Sequence, residues 1–227
     1  MSDFKKYAVI VAGGKGTRMG SSIPKQFLPL LSLPVLCHSV LAFAHTIRDI
    51  KIILVAPEDQ MDSARTILKS YTGQVDLTIV AGGETRFHSV QNGLKHIKEE
   101  GIVFIHDAVR PLISGELIAR CFEHTMLHGS AIPSIPVSDS MRIIDENGIS
   151  HAVNRDKVRI IQTPQTFLTS IIVPAFNIPF DPSFTDEATV AEASGVTVHL
   201  VEGDKDNIKI TTPGDMIIAD TLLKASE

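Results

Sequence analysis

The chain has 227 residues, 44% hydrophobic and 21% charged, the balance of an ordinary globular protein large enough to bury a substantial core. A formal net charge of -5 excludes a protein that coats nucleic acid through bulk positive charge, but leaves room for a local cluster of Lys and Arg that holds a phosphate. No uninterrupted apolar stretch is long enough to span a bilayer, and the polar start of the chain holds no segment of signal-peptide length, so a soluble cytoplasmic protein is expected.

In chain order, short runs rich in Val and Ile at 8–12, 51–56, 77–80 and 102–106 read as strands. Segments 35–45, 61–70 and 86–99 between them read as helices, the last with Val90, Leu94 and Ile97 on one buried stripe. Strands alternating with helices predict an α/β fold, a mostly parallel sheet with helices on both faces. Cys37 and Cys121 lie far apart in apolar helical patterns and form no C-x-x-C pair, which predicts buried free thiols.

The pattern loosens after Ala131. Residues 141–144, the turn-like 145–148 and 149–153 read as a hairpin, a protruding β-arm inserted at about 137–156 into one domain spanning 1–227. Helical period returns at 186–194, and 196–201 and 208–210 are strand-like. Thr212, Pro213 and Asp215 then suit the start of a last helix, as cap, first-turn residue and negative charge.

Directly after the first strand comes Ala12-Gly13-Gly14-Lys15-Gly16-Thr17-Arg18-Met19-Gly20. Glycines let backbone N–H groups close around an anion, and the loop at a strand's carboxyl end is where open parallel sheets bind ligands. A P-loop fails here because Lys15 is followed by Gly16. The dinucleotide fingerprint fails because Gly14, Gly16 and Gly20 give G-x-G-x-x-x-G, which demotes a nicotinamide-dependent oxidoreductase. Arg18, and Lys25 within Pro24-Lys25-Gln26-Phe27, are placed to clamp a triphosphate beside the glycines; the plainer alternative is a strand-to-helix turn with solvated basic residues.

The motifs AGGKGTRMG, PKQF, GGETRFHSV, HDAVRP, NRDKVRIIQTPQTF, FTDEA and DNIKITTP occur in that order. Together they resemble the 2-C-methyl-D-erythritol 4-phosphate cytidylyltransferase family of the non-mevalonate isoprenoid pathway, nearly end to end. The resemblance implies a Rossmann-like nucleotidyltransferase core that uses CTP and Mg²⁺. It also implies a homodimer whose β-arms cross over to complete each other's active sites. Ala12, Gly13, Gly14, Gly83, Glu84 and Ser89 match positions around the cytidine, Glu84 standing where some relatives carry aspartate. Arg18 and Lys25 match the residues that stabilise the transition state, and Arg155 and Lys209 those that position the substrate phosphate. Asp107, with Ala108 beside it, and Arg110, Ser140, Thr163 and Thr185 match positions lining the nucleotide and erythritol sites, with Ser140 replacing a more usual threonine.

The residues themselves bear on these roles. Asp107 and Arg110 close a buried strand and so emerge at the ligand edge of the sheet, though an isolated pair there also suits a structural role. Arg155 sits at the base of the arm, where read alone it is equally a surface arginine. Lys209 alternates with Ile208 and Ile210 and points away from the face they bury, as a solvated lysine also would. Thr185 suits either a helix cap or a substrate contact. The nine histidines show no metal-ligand spacing, and His88 and His106 read as structural. The expected chemistry is in-line attack of a sugar-alcohol phosphate on the α-phosphorus of CTP. A sister family acts on ribitol 5-phosphate, and Phe184-Thr185-Asp186-Glu187-Ala188 favours methylerythritol. A nucleotide-binding regulator without catalysis is disfavoured by Arg18, Lys25 and Lys209 occurring together.

Overall fold

The computed structural model describes residues 4–13, 23–73 and 75–226. Strand β1 (Lys5–Val11) carries the apolar run Tyr7–Ile10, buried throughout. Its side chains alternate between the two faces of the sheet, so each face needs a cover. After a 3-10 turn at Lys25–Phe27, the two-residue strands β2 (Pro29–Leu30) and β3 (Leu33–Pro34) form a tight hairpin through Leu31 at φ 52°. The chain then alternates through α1 (Val35–Thr46), β4 (Ile50–Ala56), α2 (Met61–Tyr71), β5 (Leu77–Ala81), α3 (Arg86–Leu94) and β6 (Gly101–Asp107). β1 pairs in parallel with β4 and β6, and β4 with β5. Each of these strands lies within a few residues of its expected span.

α3 ends at Leu94, short of the expected 99. Ile97 still packs against the core from an irregular turn, so its apolar spacing outlasts the helix. At Gly93 the last turn presses on the sheet, where an added Cβ would come 2.6 Å from Val9 Cγ1.

The second half contains α4 (Gly115–His128), β7 (Ser130–Pro136), β8 (Met141–Ile144), β9 (Ser150–Val153), β10 (Arg159–Ile161), β11 (Gln165–Leu168), α5 (Thr169–Ala175), α6 (Glu187–Ala193), β12 (Leu200–Glu202) and α7 (Pro213–Ser226). α4 starts on Ser114, whose hydroxyl accepts from the Leu117 N–H, and stops at Gly129 with φ 84°. β11 enters antiparallel between β6 and β7, giving the order β10-β7-β11-β6-β1-β4-β5 with β12 alongside β7. β8 and β9 pair only with each other and stand outside this sheet as the expected arm. Its turn is held by Asp145, whose Oδ1 accepts from the N–H groups of Asn147 and Ile149.

Ala8 and Ile10 face α1, α2 and α4 through Leu36, Val40, Phe43, Leu68 and Leu117. Val9, Ile53 and Val55 face α3, α5 and α6 through Val90, Leu94, Ile172 and Val190. Helices therefore cover both faces. Cys37 and Cys121 are buried free thiols in the first of these cores, where burial pushes them up to about 11 and about 12.

Two expected strands are corrected. The stretch 196–201 becomes strand only from Leu200, where it reaches β7. The stretch 208–210 runs extended without a ladder, tied to the core by the Ile210 N–H donating to the Val109 carbonyl at 2.9 Å. Among the described residues, no helix is long and apolar enough to cross a membrane.

Candidate active site

A cavity of about 320 Å³ opens at the carboxyl ends of β1, β5 and β6, where an open α/β sheet leaves room for a ligand. Ala12 and Gly13, leaving β1, form one wall; Gly83, Glu84 and Ser89 form a second; Asp107, Lys25 and Lys209 converge from three further segments. Gly14 and Arg18 lie outside the described residues.

Lys25 is buried, and its Nζ donates to the Ile210 carbonyl at 2.8 Å, joining the start of the chain to the segment that carries Lys209. Gln26 beside it donates to the Ala12 carbonyl at 3.0 Å and to Gln60 Oε1 at 2.9 Å, which fixes the chain as it leaves β1.

The second wall is built around one hydroxyl. Ser89 Oγ accepts from the Gly83 N–H at 3.0 Å and donates to the Thr85 carbonyl at 2.9 Å, while Thr85 caps α3. Gly83 passes so close to α3 that an added Cβ would lie 2.4 Å from His88 Cβ. Only a residue without a side chain fits there. Glu84 is exposed at the rim.

Asp107 ends β6 as expected and carries the strongest electrostatics of the site. Its Oδ2 lies 2.8 Å from Lys209 Nζ, and its Oδ1 3.2 Å from Arg86 Nη2. Burial by itself would raise this carboxyl, but the charges of Arg86 and Lys209 prevail and hold it well below the usual carboxylate range. Lys209 turns away from buried Ile210, as its alternation predicts. Behind Asp107, its N–H donates to Thr163 Oγ1 at 3.1 Å, and that hydroxyl meets His106 Nδ1 at 3.1 Å. His106 Nε2 faces the Arg110 carbonyl at 3.2 Å, so this nitrogen carries the proton and Nδ1 accepts from Thr163. Burial lowers the imidazole to about 4 and keeps it neutral.

Ala12, Gly13, Lys25, Gly83, Glu84, Ser89, Asp107 and Lys209 thus share one cavity. Other expected site residues do not line it. Ala108 is buried, its N–H donating to the Val11 carbonyl. Arg110 turns inward and donates to the Asn207 carbonyl at 2.7 Å, and Thr163 spends its hydroxyl on the network just described. Thr185 is exposed at a separate small cleft beside Arg86 and Phe184; the cap of α6 is Asp186, not Thr185. Ser140 and Arg155 are exposed at the arm, where Arg155 donates to the Ser138 carbonyl at 2.6 Å.

Sequence reading missed Arg86, which lines the cavity and bridges Asp107 to buried Glu187. Its signal was available: a carboxylate buried in an apolar interior requires a cation, and FTDEA offers one such carboxylate. Among the described residues no three His, Cys, Asp or Glu side chains gather around a metal position. Two carboxylates, Glu84 and Asp107, do line the cavity. That sparse set suits Mg²⁺, which keeps several waters and takes phosphate oxygens in place of a full protein cage.

Residues 7–225 match the family described as IspD: 2-C-methyl-D-erythritol 4-phosphate cytidylyltransferase. The 2-C-methyl-D-erythritol 4-phosphate cytidylyltransferase of Bacteroides fragilis is 47% identical over 216 residues, covering 95% of this chain and 98% of that protein. Among solved structures, the 4-diphosphocytidyl-2C-methyl-D-erythritol synthase of Anaerococcus prevotii superposes with a TM-score of 0.84 at 30% identity, covering 97% of this chain and 99% of that one. The Thermus thermophilus cytidylyltransferase superposes with a TM-score of 0.77 at 27% identity, covering 97% and 99%.

Proposed function

The chain belongs to the 2-C-methyl-D-erythritol 4-phosphate cytidylyltransferase family and transfers CMP from CTP to 2-C-methyl-D-erythritol 4-phosphate in isoprenoid precursor synthesis, and we propose that the cavity at the ends of β1, β5 and β6 is where it does so. The products are 4-diphosphocytidyl-2-C-methyl-D-erythritol and pyrophosphate. The observation that carries the assignment of the site is the convergence of Gly13, Gly83, Lys25, Asp107 and Lys209 from distant parts of the chain onto one opening.

In this reading the backbone at Ala12, Gly13 and Gly83 borders the cytidine, with Glu84 at the rim and Ser89 holding the second wall. Lys25 faces the triphosphate, and the family resemblance assigns Arg18 to the same task. An oxygen of the acceptor phosphate attacks the α-phosphorus, the new P–O bond forms, and the bond to the β-phosphate breaks as pyrophosphate leaves. The nucleophile is already an anion, so the protein needs no strong general base; its work is to hold two anions in line and neutralise the charge that builds up on the leaving oxygen. Lys25 does this from an almost dry position, where a cation acts most strongly. Lys209, with Arg155, holds the acceptor phosphate. Mg²⁺ bound to the triphosphate oxygens would supply further charge neutralisation.

Arg110, Thr163 and Thr185 act from outside the cavity. The first two set the position of Asp107 and the 207–210 segment. Arg155 and Ser140 lie on an arm with exposed apolar residues, which supports a homodimer in which each arm reaches the other copy's cavity. CTP and a phosphorylated sugar alcohol do not cross membranes unaided, which favours a cytoplasmic place of work.

The test is pyrophosphate release from CTP and Mg²⁺ with either 2-C-methyl-D-erythritol 4-phosphate or ribitol 5-phosphate as acceptor. Turnover is expected with the first. Lys25→Ala should lower kcat by about 100-fold or more, as removal of a transition-state charge contact does. Normal kcat in Lys25→Ala would place the chemistry elsewhere.

A further inference from the structure

Four charged side chains from four separate parts of the chain form one line that runs from the interior out to the cavity wall. Glu187 is fully buried at the start of α6, and Arg86 grips it with two parallel bonds, Nη1 to Oε1 at 2.5 Å and Nη2 to Oε2 at 3.1 Å. The same guanidinium reaches Asp107 Oδ1 from Nε at 3.3 Å and from Nη2 at 3.2 Å. The other oxygen of Asp107 lies 2.8 Å from Lys209 Nζ. Two anions therefore alternate with two cations, and only Lys209 at the open end is substantially exposed, at 41% of its side chain.

That order bears on how Lys209 can work, given the role proposed for it above, on which this inference rests. Without substrate its ammonium is bound to a carboxylate. As it turns its N–H bonds onto a phosphate its hold on Asp107 loosens, and an almost buried carboxylate resists losing a partner. Arg86 removes this obstacle, because it stays on Asp107 when Lys209 departs. Arg86 itself cannot follow the phosphate, since the paired bonds to Glu187 fix its plane. A guanidinium also keeps its charge throughout the working pH range, so the support is constant.

We propose that Arg86, anchored by Glu187, is a positioning residue that keeps Asp107 paired so that Lys209 can transfer from Asp107 to the acceptor phosphate. No bond is made or broken in this step; one ion pair exchanges for another.

Steady-state kinetics with both substrates varied, on the wild type, Lys209→Ala, Arg86→Lys and the double variant Arg86→Gln/Glu187→Gln, test the proposal. The double variant removes one cation and one anion together, leaving Lys209 as the remaining partner of Asp107 without stranding a buried charge. Its KM for methylerythritol phosphate should rise by about tenfold or more, while its KM for CTP stays within about twofold. Arg86→Lys should fall between, since an ammonium can meet Asp107 but cannot span both carboxylates; it is the variant to read if CTP binding or a thermal melt shows the double variant unfolded. A rise in the KM for CTP instead would overturn the proposal by making Arg86 a nucleotide contact. Unchanged KM values, or a fall confined to kcat, would overturn it too. Lys209→Ala separates the two levels: if it leaves the acceptor KM unchanged, the role of Lys209 fails and takes this inference with it. If it raises that KM while the double variant does not, this inference alone fails.

Discussion

His106 shows how a buried residue sets the site without touching it. Its ring passes hydrogen bonding from the Asp107 N–H, through Thr163, to the Arg110 carbonyl, and so fixes where Asp107 stands at the strand end. Only the neutral imidazole can accept from Thr163 while donating to that carbonyl. With the folded ring lowered to about 4 and an unfolded histidine near 6.5, the unfolded chain binds a proton between these values that the folded chain refuses. Stability from this group is therefore complete above the unfolded value and lost as the pH falls through the window, to about 3 kcal/mol at its full extent. Burial raises Glu187 despite Arg86, so the folded state takes up its proton more readily and its contribution runs in the opposite direction as the pH falls. Asp107 titrates below this window. Comparing wild type with His106→Gln isolates the histidine: between pH 7 and pH 4.5 the wild type should lose more unfolding free energy in urea than the variant does. Equal losses would mean that His106 is not the group being titrated.

At the scale of elements, α6 connects the sheet to the Arg86 anchor. Asp186 caps it, Oδ1 accepting from the Thr189 N–H at 3.0 Å and Oδ2 from Gln165 Nε2 at 2.9 Å, while Gln165 Oε1 accepts from the Ala188 N–H. The first turn of α6 is thereby pinned to β11, and Glu187 with it. Asp186→Ala should lower the unfolding free energy by about 1–2 kcal/mol, and Asp186→Asn, which keeps the cap on Thr189 but cannot also accept from Gln165, should restore part of that loss. Urea midpoints measure both, and an Asn variant as weak as the Ala variant would mean that the tie to Gln165, not the cap, matters here. Elements also differ in how plainly the chain announces them. β1, β4, β5 and β6 are short apolar runs between amphipathic helices, a contrast that local pattern carries. β7 contains Pro133 and Pro136, which mask a strand, and β11 belongs between β6 and β7 for reasons of long-range pairing that no local period encodes. The cavity follows the same division. Gly13, Lys25, Asp107 and Lys209 sit in motifs that local chemistry and family resemblance both mark. Arg86 escaped notice because its anchor Glu187 lies 101 residues away.

For the molecule as a whole, the arm is the feature that one chain does not account for. β8 and β9 form an isolated two-stranded sheet, and such a hairpin is marginal in water unless something covers it. Its turn is organised from within by Asp145 and His151, yet Ile143, Ile144 and Ile149 remain 61%, 69% and 58% exposed. Pairing sets Ile143 opposite His151 and Ile144 opposite Ser150, so these two isoleucines lie on opposite faces and both faces are apolar. A second copy related by a two-fold axis would cover both arms at once and bring Arg155, at the arm's base, to a cavity other than its own. Ile143→Asp/Ile144→Asp should therefore convert a particle of about twice the chain mass in light scattering into a single chain, since a charge on each face opposes burial. CTP binding should survive, because Gly13, Gly83, Lys25 and Asp107 come from one chain, whereas turnover should fall with loss of the arm's contribution. A variant that stays dimeric would show that the arm is not the interface; a monomeric variant with full turnover would show that Arg155 serves no cavity but its own.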